Sequence, residues 1–223
     1  MKTYLLTFFL LGATCVALSV QAQGFVNLDF ESANPSGYSP NSDNVPIGSA
    51  LPGWSGFYGN NQINQVWYDA ISTGGQMISV VDTNIGFSFF FPIQGKYSVY
   101  LFGGDSLSST ISQTALVPVG TTTLLFDAYN SGTPFIVTLG GQTVSMTPLQ
   151  TFSNYTLYGA DISSFAGQVA TLSFTEPIAA NTPPSVLKLD NIQFSTTAVP
   201  EPSVFALTAL GSLLLGFRRW RNS

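Results

Sequence analysis

Between residues 23 and 198 the chain never sustains the three-and-four spacing of apolar residues that an amphipathic helix needs. Short runs of β-branched and aromatic residues recur instead, cut by Gly, Pro, Asn and Ser at intervals of about eight to twelve positions. Period-2 alternation is the side-chain repeat of a half-buried strand, and many such runs between turn residues indicate an all-β antiparallel sandwich or barrel. Candidate strands are residues 25–30, 65–68, 76–81, 97–102, 107–115, 121–129, 135–139, 142–146, 155–160, 169–175 and 186–194. In 121–129, Leu124, Phe126 and Ala128 share one face, opposite Leu125, Asp127 and Tyr129. In 186–194, Leu187, Leu189 and Asn191 oppose Lys188, Asp190 and Ile192. Gly140 and Gly141 sit between two short runs and mark a hairpin turn. Helix is expected only as a turn near 162–165, capped by Asp161 and ended by Gly167. Residues 33–52, rich in Pro, Asn, Ser and Gly, are expected to form a surface loop.

Composition excludes more than it assigns. The chain has no histidine and a single cysteine, Cys15. Ser-His-Asp and Cys-His nucleophile systems and His general bases are therefore absent. A metal site would have to be built from oxygen, which suits calcium or magnesium. Residues 23–198 hold two basic residues, Lys96 and Lys188, against ten acidic ones, a balance of −8. Such a surface cannot neutralise phosphates, so nucleic acid is not an expected partner. A carboxylate pair is the one common catalytic apparatus left.

Both ends read as processing segments. Lys2, an apolar stretch over 5–20 and small residues before Gln23 form the three regions of a secretory signal peptide, residues 1–22. Cys15 falls inside it, so the exported chain carries no disulfide although its compartment would permit one. At the other end Val199, Pro200, Glu201 and Pro202 precede an uncharged apolar run, 203–217, and a basic end, 218–223, containing Arg218, Arg219 and Arg221. The prolines keep the motif extended and accessible, and the arginines favour the cytoplasmic side of a single C-terminal transmembrane helix. Fifteen helical residues span roughly 22 Å against a hydrocarbon core of about 30 Å, which makes the segment a marginal anchor.

This order of motif, apolar segment and basic terminus resembles the PEP-CTERM sorting signal of Gram-negative bacteria. The resemblance implies residues 199–223 as a tail read by an exosortase-type processing protease. It also implies export across the inner membrane to the cell envelope, surface or extracellular matrix, with membrane anchoring until the tail is processed.

The ectodomain, 23–198, carries a second resemblance. Asn27, Leu28, Asp29, Phe30 and Glu31, then Leu51, Pro52, Gly53 and Trp54, and finally the 187–192 run resemble the first and last strands of galactose-binding-like jelly rolls. The resemblance implies an antiparallel jelly-roll β-sandwich, a fold that hosts carbohydrate-binding modules as well as adhesive and structural domains. It also implies a structural calcium ion where first and last strands meet, held by Glu31 and Asp190 with backbone carbonyls, water or Asp29 completing the six to eight oxygens.

Aromatic residues supply the remaining candidates. Trp54, Tyr58, Trp67 and Tyr68 lie close in sequence among Asn60, Asn61, Gln62 and Asn64, the residue mixture of a sugar-binding surface. Core packing is the competing expectation, strongest for Trp54. The run Phe87, Phe89, Phe90 and Phe91 is expected to pack internally. The function expected is that of an exported, non-enzymatic envelope or matrix protein that binds carbohydrate or exopolysaccharide. The alternatives are a structural matrix protein without a discrete ligand and, behind it, a carboxylate-dependent glycan hydrolase.

Overall fold

The computed structural model describes residues 23–86, 90–179 and 185–198. The leader, the tail with Val199, Pro200, Glu201 and Pro202, and the residues Phe87 and Phe89 lie outside the described residues. Among those described, fourteen strands form two sheets. The eight-stranded sheet runs β1 (Ser42–Pro46), β4 (Gln65–Tyr68), β5 (Met77–Val81), β6 (Ser98–Gly103), β14 (Ser185–Ser195), β8 (Thr123–Ser131), β12 (Thr156–Asp161) and β11 (Thr147–Thr151). The six-stranded sheet runs β10 (Gln142–Thr143), β9 (Ile136–Leu139), β13 (Val169–Glu176), β7 (Ser109–Leu116), β2 (Ser55–Tyr58) and β3 (Asn61–Ile63). Pairing is antiparallel except between β4 and β5, which run parallel. The chain is an all-β sandwich. Among the described residues no helix is long and apolar enough to cross a membrane.

The core lies between the sheets because alternate residues of both point inward. Val66, Ile78, Val99, Leu101, Leu124, Phe126, Leu187 and Leu189 come from the larger sheet and Ile111, Val137, Leu139, Leu172 and Phe174 from the smaller. Phe126 meets Phe174 edge-on at 5.0 Å, and Trp54 lies 6.3 Å from Phe174 and 5.9 Å from Phe30. Such pairs add roughly 0.5–1.5 kcal/mol each beyond their area burial.

Ten of the eleven expected strands are present within a few residues of their expected limits, although the 142–146 run shortens to β10. The glycine turn is as expected, with Gly140 and Gly141 at φ 58° and 77°. The helical turn Ser163–Phe165 also forms, and its Ser163 N–H donates to Asp161 Oδ1 at 2.8 Å. Further helical turns occur at Ile47–Ala50 and Thr83–Ile85.

Residues 25–30 are not a strand. Gly24 makes one parallel bridge to Leu116, after which Asn27 and Phe30 take positive φ values of 51° and 58°. The Gln113 side chain replaces a neighbouring strand, accepting from Val26 N–H at 2.7 Å and donating to Val26 O at 3.0 Å. The alternating pattern there reflects Phe30 inserting into the core, which a looped backbone achieves equally well.

Four strands, β1, β2, β3 and β11, escape the sequence, two of them for one reason. β1 and β11 contain Pro46 and Pro148, and each forms an edge of the larger sheet. Proline lacks the N–H needed on both sides of a central strand and is tolerated at an edge. β1 therefore lies inside the stretch expected to be a loop. The last strand also changes parity: a register shift between Asp190 and Gln193, with Asn191 at φ 50°, turns Ile192 into the core beside Leu187 and Leu189.

Candidate functional site

The outer face of the larger sheet is not a solvated surface. Alternation in β14 sends Leu187 and Leu189 inward, so Lys188 and Asp190 point outward. Lys188 pairs across the sheet with Tyr100 of β6 on one side and Tyr129 of β8 on the other. A second apolar cluster covers this face, built from Met77, Val81, Ile85, Tyr100, Phe102 and Val186, with Trp67, Phe90 and Tyr129 packed against it. The turn Thr83–Ile85 helps to build it. Asp82 caps that turn by accepting from Asn84 N–H at 2.6 Å, and Gly86 closes it at φ 78°.

Within this cluster is a cavity of about 180 Å³, lined among others by Phe90, Phe91, Tyr100, Tyr129, Asn154 and Lys188. Among the described residues no carboxylate lines it. Tyr100 is 1% exposed, and its hydroxyl has no hydrogen-bond partner among the described residues. Burial holds the Tyr100 phenol well above its ordinary pKa, with a further push from Tyr129, so the group remains a neutral O–H. Lys188 is 4% exposed, and its Nζ donates to Phe91 O at 3.1 Å. The same Nζ lies 5.5 Å from the Tyr100 ring centroid and 5.8 Å from that of Tyr129. Burial pushes the ammonium down to about 8, partly offset by the charge of Asp190. A buried, unpartnered phenol costs about 1–3 kcal/mol of desolvation unless something meets it. Aromatic walls with a few convergent polar groups are the usual make-up of a small-molecule site.

Below the pocket on the same face lies a polar network. Asp190 Oδ2 accepts from Ser98 Oγ at 2.7 Å and Gln94 N–H at 3.0 Å, while Oδ1 accepts from Asn191 N–H at 2.7 Å. Asp127 Oδ2 accepts from Gln94 Nε2 at 2.5 Å and Asn191 Nδ2 at 3.0 Å. Glu31 closes on the same segment, its Oε1 accepting from the Lys96 and Tyr97 N–H groups at 2.7 and 2.9 Å. Gly95 makes room for this approach: at φ 54°, a Cβ there would collide with the Glu31 carboxylate. Glu31 and Asp190 thus both hold the 94–98 segment by hydrogen bonds. Burial pushes Asp190 up to about 7 against its hydrogen bonds, and the negative charge of Glu31 adds to the shift. Glu31 Oε1 and both Asp190 oxygens already accept hydrogen bonds from residues 94–98 and 191. Among the described residues no group of three or more acids that could hold a metal occurs, so the other oxygens of a calcium site would have to come from backbone carbonyls or water.

The four aromatic candidates separate. Trp54 is 4% exposed in the main core, with Nε1 donating to Asn27 O at 3.0 Å, and Tyr68 is 6% exposed, with its hydroxyl donating to Asp82 Oδ2 at 2.8 Å. Neither presents a face to a ligand: strand alternation turns Tyr68 inward, and the turn at residues 51–54 seats Trp54 in the core. Tyr58 is half-buried against the core and its oxygen accepts from Ile78 N–H at 3.2 Å. Trp67 is half-buried against the outer-face cluster that also contains Tyr100. The pocket residues Tyr100, Tyr129 and Lys188 were missed as a group. The available signal was Lys188 itself, one of two cations in an acidic domain, placed between leucines in an alternating strand.

No protein-family model matches the chain, and no curated protein aligns with it. Among solved structures it is similar to the carbohydrate-binding module TmCBM61 in complex with β-1,4-galactotriose, at 15% identity over 78% of this chain and 97% of that one, with a TM-score of 0.44. It is similar to a cyclase from Fischerella sp. TAU at 16% identity, 77% and 94% coverage and a TM-score of 0.47. It is also similar to the family 11 carbohydrate-binding module from Clostridium thermocellum in complex with a β-1,3-1,4-mixed-linked tetrasaccharide, at 11% identity, 72% and 99% coverage and a TM-score of 0.37. All three scores fall below 0.5, so they say nothing about what this chain binds.

Proposed function

We propose that this chain is an exported carbohydrate-binding protein of jelly-roll type, without catalytic activity, whose binding site is the outer-face pocket over β6, β14 and β8. The observation that carries this reading is the Tyr100 hydroxyl, buried without a partner beside a cavity walled by aromatic rings. A saccharide would give that O–H an acceptor and place ring C–H groups against Phe90 or Tyr129. At about 180 Å³ the cavity is smaller than the roughly 300–1,000 Å³ of drug-sized sites, which suits one sugar ring of a longer polymer. The test is retention of the purified exported protein on immobilised polysaccharides, with Tyr129→Ala as the site variant. Saturable retention lost in the variant supports the reading. No retention on any glycan leaves the structural matrix protein as the better account.

In this reading the PEP-CTERM-like tail sorts the protein to the envelope and is cut near Pro200, Glu201 and Pro202 by an exosortase-type protease. Replacing Glu201 with Ala should trap a larger, membrane-bound form, whereas equal masses in the membrane fraction would make the tail an anchor. The Glu31–Asp190 pair holds a structural calcium ion, with a stabilising and not a ligand-contacting role.

A further inference from the structure

Resting on the pocket reading above, we infer that the ligand is an acidic saccharide, whose ring-borne anionic group sits between the Lys188 ammonium and the Tyr100 hydroxyl. Both protein groups are donors. Lys188 has three N–H bonds, and its one hydrogen bond among the described residues goes to Phe91 O. Tyr100 supplies an O–H that reaches no acceptor. Their positions are imposed by register, since the two residues are direct cross-strand partners on adjacent strands. A neutral sugar hydroxyl could satisfy the phenol but would add no charge to help Asp190 offset the desolvation cost of the ammonium. The two aromatic faces near Nζ offset part of that cost. Asp190, the nearest acid on the strand, holds its oxygens on Ser98, Gln94 and Asn191 instead. An anion entering the cavity meets the lysine, and meets the phenol as well once a small shift of the cavity wall uncovers its oxygen. The anion is a carboxylate, as on a uronic acid, or a sulfate ester; both offer the several acceptor oxygens that two donors need.

Three sets of size-matched probes test this on the exported protein: oligouronates, sulfated oligosaccharides and their neutral counterparts. Binding is measured by calorimetry at low and high salt. The expected result is binding of at least one acidic set, about tenfold or more tighter than neutral probes and weakened by salt. The acidic set that binds identifies the anion. Lys188→Met should reduce that binding by about 10–100-fold, and Tyr100→Phe by a smaller factor. Neither variant should lower the melting temperature, because each removes an incompletely satisfied buried group, so lost binding cannot be attributed to unfolding. Equal binding of neutral and acidic probes, unchanged in Lys188→Met, overturns the inference while leaving carbohydrate binding intact. Binding of no probe from any set overturns both.

Discussion

The two faces of β14 are buried almost equally but by different chemistry. Leu187 and Leu189 point into the sandwich, both 0% exposed among aliphatic and aromatic side chains. Lys188 and Asp190 point the other way and are scarcely more accessible. The inner face is held by the non-directional removal of apolar area from water, about 25 cal/mol per Å². The outer face sets Lys188 and Asp190 beside an apolar cluster, and each polar group there must find a partner of the right kind. Asp190 finds three donors within the chain. Lys188 and Tyr100 are left with capacity over. A folded chain does not keep such groups for stability, since an apolar residue of similar shape would serve as well or better.

Substitutions can break this contrast. The largest effect is expected on the inner face: Leu189→Ala should cost about 2–5 kcal/mol, lowering the melting temperature by roughly 4–20 °C in a chain of this size. Asp190→Ala should follow, because it strands the buried Ser98 O–H at about 1–3 kcal/mol, while the Gln94 and Asn191 N–H groups lie on more exposed residues and can turn to water. Thermal melts measure both, and a larger loss at Asp190 would mean that the polar face dominates stability.

Calcium should act next. With the metal at a hundredfold excess over its dissociation constant the native state gains about 2.7 kcal/mol, seen as a higher melting temperature than in chelator. The difference should vanish in Glu31→Gln/Asp190→Asn. Identical melts for the wild type would leave the two carboxylates as hydrogen-bonding latches on residues 94–98.

A pH effect follows from Glu176, 0% exposed and hydrogen-bonded to the Ser185 hydroxyl and to Asn130 Nδ2. Burial pushes its carboxyl up to about 8 from an ordinary 4.5. The folded state therefore binds more protons than the unfolded one between those values. The stability it contributes is complete below about 4.5 and is lost as pH rises through 8. Burial raises Asp69 in the same direction. Melting temperature should fall from pH 5 to pH 8.5, and Glu176→Gln should flatten the fall. The smallest change is expected at Lys188→Met, within about 1 kcal/mol of wild type or stabilising. A marked destabilisation there would assign the lysine to the fold.

Most of the sandwich was legible because period-2 alternation and turn residues are local signals. Leu124, Phe126 and Ala128 could be assigned to one face from spacing alone, and all three lie in the core. The misses were non-local. Residues 25–30 alternate like a strand, but their neighbour is the Gln113 side chain, 87 residues on from Val26. Ile192 could not be placed without the bulge that reverses its parity. Of the named candidates, Glu31 and Asp190 both bond to the loop at residues 94–96, a contact that no local pattern records. Trp54 and Tyr68 were chosen for aromatic character, which does not distinguish a core side chain from a binding one.

By itself, then, the sequence determined the all-β class, the acidic and histidine-free chemistry, and the central strands, because composition and alternation act residue by residue. Only the tertiary structure decided which polar groups are left over. Tyr100, Tyr129 and Lys188 come from strands far apart in the chain and become neighbours when β6, β14 and β8 pair. Whether a phenol is satisfied depends on atoms brought within about 3 Å by that pairing, and no local pattern records it.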